Sequence, residues 1–228
     1  MARLDDKLVV VTGAFGVLGA AVAHAAEAAG ARVARVDQAS PSHPGPLVYG
    51  NVDLTDQADA GRVMGEIAGA AGTIDGLVNV AGGFTWRTLQ DGSTEVWDQM
   101  FRINVVTAVS ASHAALSYLT AAKGAIVNIG ANAAMRAAAG MGAYAASKSG
   151  VLRLTESLAE ELAGAGVRVN AVMPSIIDTP TNRRDMPDAN FKTWVLPEDI
   201  AAVIVFLLSD EAQAVTGAAI PVTNPRRG

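Results

Sequence analysis

The feature that most constrains this chain is a glycine-punctuated turn near its start. Leu8-Val9-Val10-Val11 is a short, β-branched run. It is followed by Thr12-Gly13-Ala14-Phe15-Gly16-Val17-Leu18-Gly19, which leads into an alanine-rich stretch that continues to Ala29. β-Branched runs favour strands and alanine favours helices, so the segment reads strand, glycine turn, helix over Val17 to Ala29. Glycines at such a turn let the chain reverse sharply, admit an anion close to the backbone, and leave the helix's first N–H groups free to face it. A glycine-rich turn alone is weak evidence for a phosphate site, because many strand-to-helix turns contain one.

The alternation continues along the chain. Strands are predicted at Arg32 to Asp37, Leu47 to Asn51, Ile74 to Val80, Ala125 to Ile129, Val167 to Val172 and Ala219 to Val222. Helices are predicted at Gln57 to Ala70, Ala143 to Ala163 and Glu198 to Leu208, with a long helix or a broken pair over Glu95 to Leu119. Strands separated by helices of this length need crossover connections, so the expected fold is α/β, a doubly wound parallel sheet of about seven strands with helices on both faces. Ser40 to Pro46 holds three prolines and reads as a surface loop. With apolar periodicity on both sides of that loop, one domain over 1–228 is the expectation.

Composition excludes several functions. The chain has no cysteine, so it forms no disulfide, thiolate metal site or cysteine nucleophile. Redox chemistry would need a borrowed cofactor. A net charge of -5 and scattered basic residues, apart from Arg183-Arg184 and Arg226-Arg227, offer nucleic acid no footprint. His24, His43 and His113 lack metal-ligand spacing, and no metal is expected. The apolar stretch at Leu8 to Val11 is too short for a signal peptide core, and no uninterrupted apolar run reaches membrane-spanning length. The expected location is cytoplasmic, without a membrane partner.

Two further features carry chemistry. Asp37 stands at the end of the second strand, eighteen residues past Gly19, where a carboxylate accepts hydrogen bonds from an adenosine ribose and repels a 2′-phosphate. This favours NAD(H), while Arg32 and Arg35 nearby keep NADP(H) open. Tyr144 and Lys148 are four apart in a predicted helix and share a face. A neighbouring ammonium is expected to lower the phenol's pKa from its ordinary value of about 10 and fit it for proton exchange.

With these residues in place, the whole chain resembles the short-chain dehydrogenase/reductase family. In order, the resemblance runs through the glycine turn, Asp37, Asp53-Leu54, Asn79-Val80-Ala81-Gly82, Asn104, Asn128, Tyr144-Ala145-Ala146-Ser147-Lys148, Val169 to Val172, Pro174 and Thr179. It implies a Rossmann-type fold and hydride transfer to or from a small-molecule carbonyl or quinonoid-imine substrate. It also implies cofactor contacts from Gly13, Phe15, Gly16, Val17, Leu18, Gly19, Asp37, Asp53, Leu54, Val80, Ala81, Gly82, Pro174, Ile177 and Thr179. By the same resemblance Tyr144 donates the proton, Lys148 bonds the nicotinamide ribose and Asn104 holds a relay water. A homodimer or homotetramer paired through the two long helices is expected.

The chain departs from the family pattern where a serine usually stands thirteen residues before the tyrosine: here it is Ala131. A methyl cannot polarise a carbonyl. Ser175 stands where a glycine usually follows the proline. Together with Val80 to Phe84, Asp178 to Arg183 and the segment Met186 to Trp194, Ala131 resembles the dihydropteridine reductase branch, which also lacks the serine and reduces an already electron-poor ring. Phe84, Trp86, Met141, Met186, Phe191 and Trp194 are expected on loops over the site, as pocket lining or as ordinary loop packing. The rival function is a dinucleotide-binding redox sensor or scaffold with little catalysis, for which Ala131 is the main support.

Overall fold

A computed structural model describes residues 3–223. Seven parallel strands form one sheet: β1 (Leu8–Thr12), β2 (Arg32–Val36), β3 (Val48–Tyr49), β4 (Gly76–Asn79), β5 (Ala125–Ile129), β6 (Arg168–Pro174) and β7 (Ala219–Val222), in the order β3-β2-β1-β4-β5-β6-β7. The helices are α1 (Val17–Ala28), α2 (Gln57–Ala71), α3 (Thr94–Phe101), α4 (Thr107–Ala122), α5 (Gly142–Leu162), α6 (Pro180–Asp185) and α7 (Pro197–Leu208). From β1 the chain builds outward to β3, then returns to the middle and builds the other way. The reversal leaves a crevice beyond the carboxyl ends of β1 and β4, where sheets of this kind bind ligands.

Alternation along β1 assigns the layers. Val9 and Val11 pack on one face with Leu18 and Val22 of α1 and Ile200 and Ile204 of α7. Leu8 and Val10 face the other side, with Val63 and Ile67 of α2, Ala115 and Leu119 of α4, and Leu162 of α5. Because both faces are covered, β1, β4 and β5 are buried throughout, which explains why they read as unbroken apolar runs rather than as alternating ones. The helical run Thr94–Ala122 is long and apolar enough to cross a bilayer by length and composition. Here it lies against the sheet through Ala111, Ala115 and Leu119.

The differences from the sequence expectations are local. β3 shrinks to two residues, because Asn51 takes a left-handed conformation and the chain turns away. β4 starts and ends inside the expected range, whereas β6 runs on through Pro174. The long helical segment breaks into α3 and α4 around a π turn, Arg102–Val106. The short helix α6 was not expected; Pro180 opens it and the Thr179 hydroxyl caps it by accepting from the Asn182 N–H. Arg226 and Arg227 lie outside the described residues.

Two kinds of glycine are distinguishable by what surrounds them. A Cβ at Gly19 would lie 2.1 Å from the Gly13 carbonyl oxygen and 2.8 Å from Ala14 Cα, both backbone atoms that cannot yield. Gly61, on the exposed side of α2, has nothing within 4 Å of that position. Gly19→Ala is therefore expected to lower stability by about 2–3 kcal/mol and Gly61→Ala to raise it by about 0.5–1 kcal/mol in urea denaturation. Equal shifts for the two variants would contradict this packing.

Candidate active site

The first turn is stitched to the turn after β4. Gly13 has a φ of 62°, and a Cβ there would press into the Ala81 backbone at 2.8 Å. The buried Thr12 hydroxyl accepts from the Ala81 N–H at 3.1 Å. Past this join α1 begins at Gly16 with no side chain capping it and no acidic residue in its first turn. A Cβ at Gly16 would meet only the Gly13 carbonyl oxygen, at 3.4 Å, so the space beside the helix start is open. Free N–H groups at Val17 to Gly19 and the positive end of the helix dipole suit a pyrophosphate there.

Asp37 closes one side of this cradle. Its two carboxylate oxygens accept from the Phe15 N–H and the Ala39 N–H, each at 2.9 Å. A carboxylate has further lone pairs, so hydroxyl recognition remains open to it. Arg35 is paired with Glu27 in the last turn of α1, and Arg32 donates to the Ala71 carbonyl. Farther round the crevice, Leu54 is buried while Asp53 is exposed and accepts from the Thr55 N–H. Pro174 ends β6, and Ile177 bridges to Val195.

Tyr144 and Lys148 lie in the first two turns of α5 and both face inward. Lys148 is buried, and its ammonium donates to the Ile129 carbonyl at 2.7 Å. An ammonium has three donors, so two remain for hydroxyls arriving from the crevice. The direction of the phenol's shift is the reverse of the sequence expectation. Burial pushes Tyr144 up to about 12 and Lys148 down to about 8. Desolvation penalises phenolate and ammonium alike, and no attraction between them offsets it.

Asn104 occupies the π turn, a deformation that often marks functional positions. Its side-chain oxygen accepts from the Gly83 N–H at 3.0 Å, and its amide donates to the Gly83 carbonyl and to the Ser147 hydroxyl, each at 3.1 Å. Both amide hydrogens are thus committed. A relay water would find only the remaining lone pair on that oxygen, so the side chain acts here mainly as a brace for the turn after β4. Gly82 fits because a Cβ there would lie 2.5 Å from the same oxygen.

Sequence reasoning did not single out Ser147, Ile129 or the role of Thr12. Ser147 donates to the Tyr144 carbonyl at 2.7 Å and so joins Asn104 to the tyrosine's own turn. Its place inside the Tyr144 to Lys148 segment was the available signal; the Ile129 carbonyl, a backbone atom, has none. Ala131 is buried and extended and its methyl offers no donor where the serine is missing, while Asn132 beside it is exposed. Among the loop aromatics, Phe84 meets the Tyr144 ring edge to face, with centroids 4.9 Å apart. Phe191 instead packs on Trp194 and beneath the guanidinium of Arg183, itself held bidentately by Asp178. Among the described residues no cluster of His, Asp or Glu has the arrangement to hold a metal.

Known proteins are similar to this chain over nearly its whole length. A family model described as Enoyl-(Acyl carrier protein) reductase matches residues 13–224. The meso-2,3-butanediol dehydrogenase of Serratia marcescens is 34% identical, over 96% of this chain and 94% of its own. A 2-(S)-hydroxypropyl-CoM dehydrogenase from Xanthobacter autotrophicus is also 34% identical, over 96% of both. Carveol dehydrogenase from Mycobacterium avium, solved in complex with NAD, superposes with a TM-score of 0.86 at 26% identity, covering 97% of this chain and 98% of that one. The chain is therefore a member of the short-chain dehydrogenase/reductase family, whose enzymes move hydride between a nicotinamide dinucleotide and small alcohols or carbonyls.

Proposed function

We propose that this protein is an NADH-preferring reductase of small conjugated carbonyl or quinonoid substrates, with Tyr144 as proton donor. The observation that carries the reading is the half-buried Tyr144 and buried Lys148 on one face of α5, together with the open, uncapped start of α1. The nicotinamide supplies the hydride when bound. The residues of the chain then do three things. The N-terminus of α1 would hold the pyrophosphate, Asp37 would accept from the adenosine ribose, and the two unused donors of Lys148 would hold the nicotinamide ribose. A phenol with a pKa near 12 is protonated at neutral pH, so Tyr144 has a proton to give to the substrate oxygen as hydride reaches its carbon.

The preference for NADH rests on Asp37 and on the engagement of the nearby arginines. A 2′-phosphate would meet the carboxylate, while Arg35 and Arg32 are tied to Glu27 and Ala71. Ala131 supports an electron-poor substrate, because one donor to the carbonyl oxygen is missing and a substrate with its own activation loses least by that. A small quinonoid-imine or diketone substrate fits this. Trp97, Phe101 and Val109 are exposed apolar residues on α3 and α4. They support pairing of these helices with a second copy, in a dimer or tetramer. The sensor reading is weaker, since a protein that only bound the dinucleotide would not need a buried phenol in the crevice.

Tyr144→Phe is expected to lower turnover of NADH with a diketone by about 10²–10⁴-fold while NADH fluorescence quenching persists. Unchanged turnover would remove the phenol from the mechanism and favour the sensor. Ala131→Ser fits the extended backbone and is expected to raise kcat/KM for an unactivated ketone by roughly tenfold or more, with little gain for a diketone. A fall for both would show that the site already polarises carbonyls by another route. Lys148 binds as the ammonium, so NADH affinity should be full below about pH 8 and weaken by up to about tenfold per unit above it. A binding curve flat from pH 7 to 10 would contradict that role.

A further inference from the structure

Two segments without strand or long helix overhang Tyr144, one after β4 and one after β5. They are fastened together where Trp86 meets Gly140. Gly140 has a φ of 75°, and a Cβ there would lie 2.2 Å from Cε2 and 2.4 Å from Nε1 of Trp86, so the indole lies directly on a glycine face. The indole N–H donates to the Ala139 carbonyl at 3.0 Å, and the Arg87 N–H donates to the Gly140 carbonyl at 2.8 Å. Two residues before this clasp stands Phe84. On its other side Gly83 is gripped through both its N–H and its carbonyl by Asn104.

Phe84 is thus anchored at both flanks and set edge to face on the Tyr144 ring, yet 55% of it is open to solvent. Holding an aromatic ring in place while leaving it wet forgoes the stabilisation its burial would give. That surface becomes favourable when a ligand covers it. The guanidinium of Arg183 in α6 is spent on Asp178 and Phe191. Ala131 adds to this, because no serine hydroxyl is present to aim the carbonyl.

We propose that Phe84, held by the Trp86–Gly140 clasp, is the specificity-determining residue of this site, selecting substrates with a flat conjugated group next to the carbonyl and placing their oxygen at the Tyr144 hydroxyl. The inference rests on the reductase reading above. It separates Phe84 from the other loop aromatics, which pack on one another or on the loops.

The test compares phenylpropanedione with diacetyl, both reduced with NADH. Phe84→Ala should lower kcat/KM for phenylpropanedione by about tenfold or more, mainly through KM, and for diacetyl by about threefold or less. Phe84→Leu, which keeps apolar bulk without the ring, should fall between and guards against misfolding of the alanine variant. Equal losses on both diketones, or none on either, would overturn the proposal while leaving the reductase reading intact. Wild-type protein that reduces neither diketone would overturn both. The clasp has its own readout without cofactor. Gly140→Ala should make tryptophan emission easier to quench with acrylamide, and the same change in a Trp86→Phe background should not. Quenching that is unaltered by Gly140→Ala would show that the indole does not rest on Gly140.

Discussion

The crevice depends on how closely two turns can approach each other. The chain leaves β1 and β4 side by side, and the turns that follow are in contact, Gly13 against the Ala81 backbone with the Thr12 hydroxyl bound to the Ala81 N–H. A side chain at Gly13 or Gly19 would wedge the turns or lift α1 off them. Held together, they aim the free N-terminus of α1 along the floor of the crevice and leave its upper wall to β5, β6 and α5. Every proposed contact with a dinucleotide is placed relative to this join. On that proposal the pyrophosphate would lie at α1, the adenosine ribose at Asp37 and the nicotinamide end at Tyr144 and Lys148.

Desolvation is the second organising force. Taking a phenol and an ammonium out of water raises one pKa and lowers the other, which favours the neutral phenol and makes the lysine easier to discharge. A bound dinucleotide would bring hydroxyls to Lys148 and restore partners to its ammonium. The site is then tuned by what occupies it as much as by its own residues. The loss of the serine hydroxyl at Ala131 works in the same direction: with one polar contact fewer, apolar packing around Tyr144 has greater weight in positioning a substrate.

Asn104 illustrates how a bend in a helix is put to use. The π turn pushes one residue of the α3–α4 segment into the crevice, and there the Asn104 side chain grips Gly83 and Ser147 at once. One side chain thereby links the turn after β4 to the first turns of α5. Because Gly83 neighbours Phe84 and Ser147 neighbours Lys148, this link ties the position of Phe84 to that of Tyr144 and Lys148.

The amino-acid sequence alone determined the layers of this protein. Unbroken β-branched runs and alanine-rich stretches alternate with the periods of strand and helix, and a parallel, two-faced sheet is the arrangement that buries them all. It also determined which residues gather in the crevice, since the carboxyl ends of parallel strands share one edge, and Gly13, Asp37, Asn104, Tyr144 and Lys148 all fall there or in the turns and helices next to it. What it could not determine were properties that arise between distant segments. The acidity of Tyr144 follows from how much protein surrounds it, the commitment of Asn104 from a π turn whose register no local pattern announces, and the seating of Trp86 on Gly140 from two loops more than fifty residues apart. Periodicity and spacing are local quantities, whereas desolvation and loop-to-loop contact exist only once the chain has packed.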